Sequence, residues 1–311
     1  MCGIIGYIGK REANNILISG LERLEYRGYD SAGVAIISDN QIKINKVKGR
    51  VENLKQQTLQ GNIGIAHTRW ATHGRPSQSN AHPFLDSTPQ FAIVHNGIIE
   101  NYLELKEELR NQNVNFTSDT DSEVIVHLIS QNYQNDFQEA VLKTVKMLQG
   151  AYAFCVINKN TNEIIAARNG SPLVLGIGEN ENFLASDVSA IIEHTKKVVY
   201  INDFQLIKVN QNFFSIINFN GETQDYQIKE IDWDFEKAQK QGYKNFMLKE
   251  IYEQPKVTEE TLKVSINLNK EFSRIIIVAC GTASYAGLIG KYIIEKISRV
   301  PVNVEIASEF R

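Results

Sequence analysis

A cysteine stands second in the chain, in Met1-Cys2-Gly3-Ile4-Ile5-Gly6. A residue this small behind an initiator methionine predicts that Met1 is trimmed, which leaves Cys2 with a thiol and a free α-amine. Ordinary values are about 8 for the amine and about 8.5 for the thiol. The amine can therefore take the thiol proton, directly or through one water, and generate the thiolate nucleophile. The competing reading is a small apolar residue heading a buried strand.

A thiol acting on a side-chain amide needs partners, and the sequence offers them. Asn96 (side-chain amide) and Gly97 (backbone N–H in a tight Asn-Gly turn) are candidate donors to a tetrahedral oxyanion. Arg69 has the fork geometry for an α-carboxylate. Asp121, at a predicted helix start, is a counter-ion for an α-ammonium. Singly these read as an ordinary turn, a surface ion pair and an N-cap. Their joint occurrence favours the chemistry.

The elements that position them follow from periodicity. Ile4 to Ile8 reads as a buried strand, and Ile16, Leu17, Leu21 and Leu24 put a helix over about Ala13 to Glu25. A glycine-punctuated loop, Arg27 to Gly33, leads into strands at Val34 to Ile37 and Ile42 to Val47. A short strand carries Gly64 into the polar stretch that includes Arg69, Trp70, Thr72 and His73. Phe91 to His95 is a strand stopped by Asn96-Gly97, a turn-favouring pair. Helical patterns cover Glu100 to Asn111, Ser122 to Gln131 and Phe137 to Leu148. Strands dominate from Tyr152 to Asn218. This is an α+β domain of antiparallel sheets covered by helices, over residues 1–231. Residues 232–270 read as a charged connector of helical tendency, interrupted at Pro255. Residues 271–311 carry strand, Gly-Thr loop, helix and strand, the opening of an α/β doubly wound sheet broken off after two strands.

Composition narrows the class. The 311 residues allow about two domains. With 42% hydrophobic and 22% charged residues the chain is globular, and a net charge of −3 argues against nucleic acid or an acidic membrane as partner. No run approaches the ~20 apolar residues of a membrane span, and no signal peptide precedes Lys10-Arg11. Three scattered cysteines fit a reducing compartment, so a cytoplasmic location is expected. His67, His73, His82 and His95 lack zinc-type spacing, and no nucleotide fingerprint occurs. Neither metal nor cofactor is expected.

Several long motifs in order resemble one family: Cys2-Gly3-Ile4, Glu25 to Gly33, His67 to Gly74, Asn80 to Pro83, Val94 to Asn101, Phe246 to Pro255 and Glu305 to Arg311. That family is glutamine–fructose-6-phosphate aminotransferase (isomerising), also called glucosamine-6-phosphate synthase. The resemblance implies an N-terminal-nucleophile αββα glutaminase joined to a sugar-isomerase (SIS) domain. It implies Cys2 as nucleophile and Asn96 and Gly97 as oxyanion hole. Arg69, Thr72, His73, Gly97 and Asp121 would form the glutamine pocket. Trp70 would gate ammonia passage, Arg27 would support the nucleophile, and His82 lies in a further motif. Thr282 resembles part of the sugar-phosphate loop; Ala283 follows where relatives have serine, and Ser284 is the nearest substitute. The isomerase lobes of the family continue well beyond Arg311. On this reading the chain hydrolyses glutamine, and fructose 6-phosphate enters only with the rest of the isomerase part. A homodimer is then a property of the full-length protein. A glutaminase of another amidotransferase, a non-catalytic module retaining Met1, and an incompletely folded product trimmed to about residue 235 are the alternatives.

Overall fold

Cys2 leads directly into β1 (Gly3–Ile8), whose six residues are all buried. The predicted apolar stripe forms α1 (Ala13–Leu24), with Leu17, Leu21 and Leu24 fully buried. Next come β2 (Ser31–Ser38), β3 (Gln41–Lys48), β4 (Ile63–Arg69), the two-residue β5 (Phe84–Leu85) and β6 (Phe91–Ile99). Three helices follow: α2 (Tyr102–Asn111), α3 (Glu123–Asn132) and α4 (Phe137–Val145). The strand-rich part then supplies β7 (Gly150–Asn158), β8 (Ile164–Asn169), β9 (Val174–Ile177) and β10 (Asn182–Ala185). It ends with β11 (Lys197–Tyr200), β12 (Gln205–Val209), β13 (Phe214–Asn218) and β14 (Lys229–Glu230). These belong to a computed structural model that describes residues 2–71, 74–232, 243, 246–264, 272–307 and 309–310.

Two sheets result, in the orders β14-β11-β9-β10-β1-β4-β2-β3 and β13-β12-β8-β7-β6-β5. Successive residues of a strand face opposite sides, so each sheet buries two faces. Ile5 and Tyr7 meet Leu17 and Leu21 of α1 in one core. Ile4 and Ile65 meet Val94, Cys155 and Ile207 in a second core, between the sheets. Ile93, Phe154 and Val156 meet Leu105, Leu128 and Val141 of α2, α3 and α4 in a third. The layers are therefore helix, sheet, sheet, helix. β1 lies inside its sheet, paired with β10 and β4 on its two sides, so the start of the chain is held by long-range pairing.

Two local expectations are corrected, and one strand is added. Asn96-Gly97 does not stop its strand: β6 runs through it, pairing Asn96 with Ala153 and Gly97 with Tyr152 on β7. Nine consecutive pairs with β7 outweigh the local turn preference. The loop after Arg27 is shorter than read, because Ser31, Ala32 and Gly33 already pair with β3 and β4. β10 carries no clear pattern of its own, yet it is the second neighbour of β1.

The chain divides into two units at residue 246, within the stretch read as a connector. In the second unit α5 (Phe246–Leu262) continues through Pro255, losing one backbone donor instead of ending. β15 (Ile275–Ala279) and β16 (Val302–Ile306) pair in parallel, linked by α6 (Thr282–Ser298). Ile276 and Val278 remain more than two-fifths exposed. Among the described residues no helix is long and apolar enough to cross a membrane.

Candidate active site

One pocket of about 220 Å³ is lined by Cys2, Arg27, Trp70, Asn96, Gly97, Ile98, Ser171 and Pro172. Five of the residues singled out from the sequence thus share one wall. Cys2 comes from the head of β1 in the first sheet, and Asn96 from β6 in the second. They meet where Asn96 Nδ2 donates to the Cys2 carbonyl at 3.2 Å. The Trp70 backbone N–H donates to Cys2 Sγ at 3.2 Å. Asp30 pins the segment that presents this N–H: its carboxylate accepts from Ala71 N, and its own N–H donates to Arg69 O at 3.2 Å.

Burial pushes the Cys2 thiol above its ordinary value, against the Trp70 N–H and the charge of Arg69, which lower it. The thiol is therefore held protonated near neutral pH, and any use of it as a nucleophile would need a base.

Arg69 is buried at the end of β4. Its Nη2 donates to Gly74 O at 3.0 Å, and burial draws the guanidinium down while Asp30, Cys2 and Asp121 draw it up. Asp121, also buried, precedes α3 and accepts from Ile99 N at 2.9 Å through Oδ2. Neither is among the residues that line the pocket. Thr72 and His73 lie outside the described residues. Arg27 donates to Asp187 Oδ2 at 2.7 Å and to Ser186 O at 3.3 Å, while Ser186 Oγ accepts from Ile4 N at 3.0 Å. That clamp secures β1 two residues beyond Cys2. Trp70 is 48% exposed and meets Tyr29 edge-on, with ring centroids 5.6 Å apart.

His82 belongs to a buried group the sequence reading did not assemble. Its ring stacks on His67 at 4.0 Å, and its Nδ1 accepts from His95 N at 3.1 Å. A Cβ at Gly33 would lie 2.1 Å from His82 O, so the close approach of β2 to this group requires glycine. Burial lowers all three histidines: His67 to about 3, His82 well below its ordinary value, and His95 in the same direction. Below about pH 6.5 the unfolded chain takes up protons that these folded rings refuse, so stability is lost as the pH falls. Each group costs up to about 1.4 kcal/mol per pH unit. Urea unfolding at pH 7.5 and 5.5 should show a marked loss of stability; equal stability at the two values would contradict neutral burial.

Asp30, His67, Ser171 with Pro172, and Ser186 with Asp187 are the contributors missed from sequence. Asp30 and His67 sit inside the quoted motifs, where an acid between two glycines and a histidine two places before Arg69 were the available signals. In the second unit, Thr282 opens α6, and the buried Ser284 donates its hydroxyl proton to Gly281 O at 2.7 Å.

A glutamine amidotransferase domain model matches residues 42–220. The chain is 50% identical to glutamine–fructose-6-phosphate aminotransferase (isomerising) of Aquifex aeolicus, a match covering 100% of this chain and 55% of the relative. The same-named protein of Thermus thermophilus is 45% identical over 100% of this chain and 54% of the relative. The chain thus spans about half the length of these curated relatives. Among solved structures, the glutamine phosphoribosylpyrophosphate amidotransferase of B. subtilis, complexed with ADP and GMP, aligns with TM-score 0.66 at 21% identity. That alignment covers 97% of this chain and 65% of the other, and supports the fold of the sandwich.

Proposed function

The chain belongs to the glutamine amidotransferase family, and from that premise we propose that its pocket hydrolyses the side-chain amide of glutamine through a thioester on Cys2. The ammonia would serve, in the whole protein, to convert fructose 6-phosphate to glucosamine 6-phosphate. The observation that carries this reading is the meeting of the Cys2 thiol with Asn96 and Gly97 in one pocket built from both sheets.

With Met1 removed, the Cys2 amine takes the thiol proton and sulfur attacks the amide carbon. Asn96 Nδ2–H and the Gly97 N–H stabilise the oxyanion. Collapse breaks the C–N bond, and ammonia departs with a proton delivered by the amine. Water then attacks the thioester, glutamate leaves, and the thiol is restored.

Arg69 binds the substrate α-carboxylate and Asp121 its α-ammonium, with Thr72 and His73 completing the glutamine site. Arg27 holds the head of β1, Trp70 gates ammonia exit, and His82 supports the interior. A sugar phosphate is assigned to the first turn of α6, where Thr282 and backbone N–H groups are donors. Ser284 has already committed its proton to Gly281.

Incubating the chain with glutamine and fructose 6-phosphate, and assaying glutamate and glucosamine 6-phosphate separately, tests the proposal. Glutamate should accumulate over many turnovers and amino sugar should not. A folded chain releasing no glutamate overturns the glutaminase reading; amino-sugar formation overturns the assignment of glutamine hydrolysis alone to this chain.

A further inference from the structure

Asn96 can help an oxyanion only if its amide faces the right way, because the oxygen end would repel it. Two contacts set that orientation. Nδ2 donates to the Cys2 carbonyl at 3.2 Å, and Oδ1 lies 3.0 Å from His67 Nε2. Oδ1 only accepts, so His67 Nε2 must carry the proton. A flipped amide would set its oxygen against the Cys2 carbonyl oxygen.

We propose that His67 is a positioning residue of the glutaminase reaction: its Nε2–H, donated to Asn96 Oδ1, locks the amide with Nδ2 toward Cys2 and the developing oxyanion. This rests on the glutaminase reading above.

The surroundings of His67 suit that task. It is fully buried on β4, held by backbone pairing between Ile4 of β1 and Gly33 of β2. The His82 ring stacks on it with an interplanar angle of 16°, and Phe84 packs on His82 at 4.6 Å. Such packing restricts ring rotation. The charged and titratable groups bearing on the ring are His95, His82 and Arg69. Burial, with the charges of His95 and Arg69, disfavours a second proton and outweighs the hydrogen bonds to Asn96 and the His95 backbone, which favour one, so the ring stays neutral near pH 7. An imidazolium would still donate to Oδ1, but it would place a buried charge beside the nucleophile.

The test compares His67→Gln, whose amide N–H can reach the same acceptor, with His67→Met, which has no donor. Both lose the ring stack. The Met variant should lose about 10- to 100-fold in kcat, with KM for glutamine within about threefold of the parent. The Gln variant should recover most of kcat at the same melting temperature as the Met variant. Equal kcat in the two variants, or an undiminished Met variant, overturns the proposal. Ring 15N shifts of the unmutated chain give an independent reading: the Nε2–H tautomer supports it, and Nδ1–H or imidazolium at pH 7 overturns it. Cys2→Ala assayed in parallel separates the two levels. If Cys2 proves dispensable the glutaminase reading itself fails. If Cys2 is required but the donor at 67 is not, only the positioning role fails.

Discussion

Gly97→Ala is expected to cut glutamine hydrolysis by about 100-fold or more and to lower stability by about 3 kcal/mol. Gly97 has φ +119°, a region that residues with a Cβ rarely enter, inside a strand that pairs without interruption. The added methyl group would sit 2.0 Å from Ala151 O and 2.8 Å from Tyr152 Cα. Both are backbone atoms of β7, so no rotamer change relieves the clash. β6 must peel away from β7 or rotate the peptide that follows Asn96. Either movement displaces the Gly97 N–H from the position assigned to the oxyanion, and drags Asn96 with it. Thermal melts with kcat measured on the folded fraction separate the two effects. A variant as stable and as active as its parent would show that this distorted strand plays no part in catalysis.

That distortion also marks a limit of reading the sequence. Asn96-Gly97 carries the strongest local turn signal in its neighbourhood. The partner that overrides it begins more than fifty residues later, where Ala153 and Tyr152 pair with it. The sequence marks these residues as the tip of a turn, whereas they form a kink within a strand. β10 was illegible for a related reason. Asn182-Phe183-Leu184-Ala185 is too short to show alternation, and it becomes a strand because β1 and β9 flank it. Elements whose signal is internal came through well: the stripe of α1, the apolar run of β1 and the three helices after β6.

Within the site, residue types with an obvious chemical office were legible. Cys2 and Asn96, whose types announce a thiol and an amide, line the pocket, whereas Arg69 and Asp121, read as guanidinium and carboxylate partners, are not among its lining residues. Residues that act through another residue were not legible. His67 gains its role from a register that sets it opposite Ile4 and Gly33 and stacks it on His82. Asp30 gains its role from accepting the Ala71 N–H beside the thiol's own donor. Spacing along the chain encodes neither. Nor does spacing indicate that Cys2 and Asn96 come from opposite sheets, an arrangement that makes the pocket depend on the core between them.

The Cys2 thiol is held in a demanding state. Burial keeps the thiol protonated, and the nearby Arg69 and Trp70 N–H only partly compensate. A thiol in that condition reacts slowly unless a base receives its proton at the right moment. The α-amine of Cys2 is such a base only once Met1 is gone. Losing the sulfur removes the covalent route, and the remaining donors have nothing to stabilise, so the expected loss is about 10⁴-fold or greater. Ammonia release from glutamine by Cys2→Ala, measured beside the parent chain with the N-terminus of each determined by mass, is the most direct test. The account predicts a parent that begins at Cys2 and turns over, and an alanine variant of equal melting temperature with no release above background. Undiminished release from the alanine variant would contradict it.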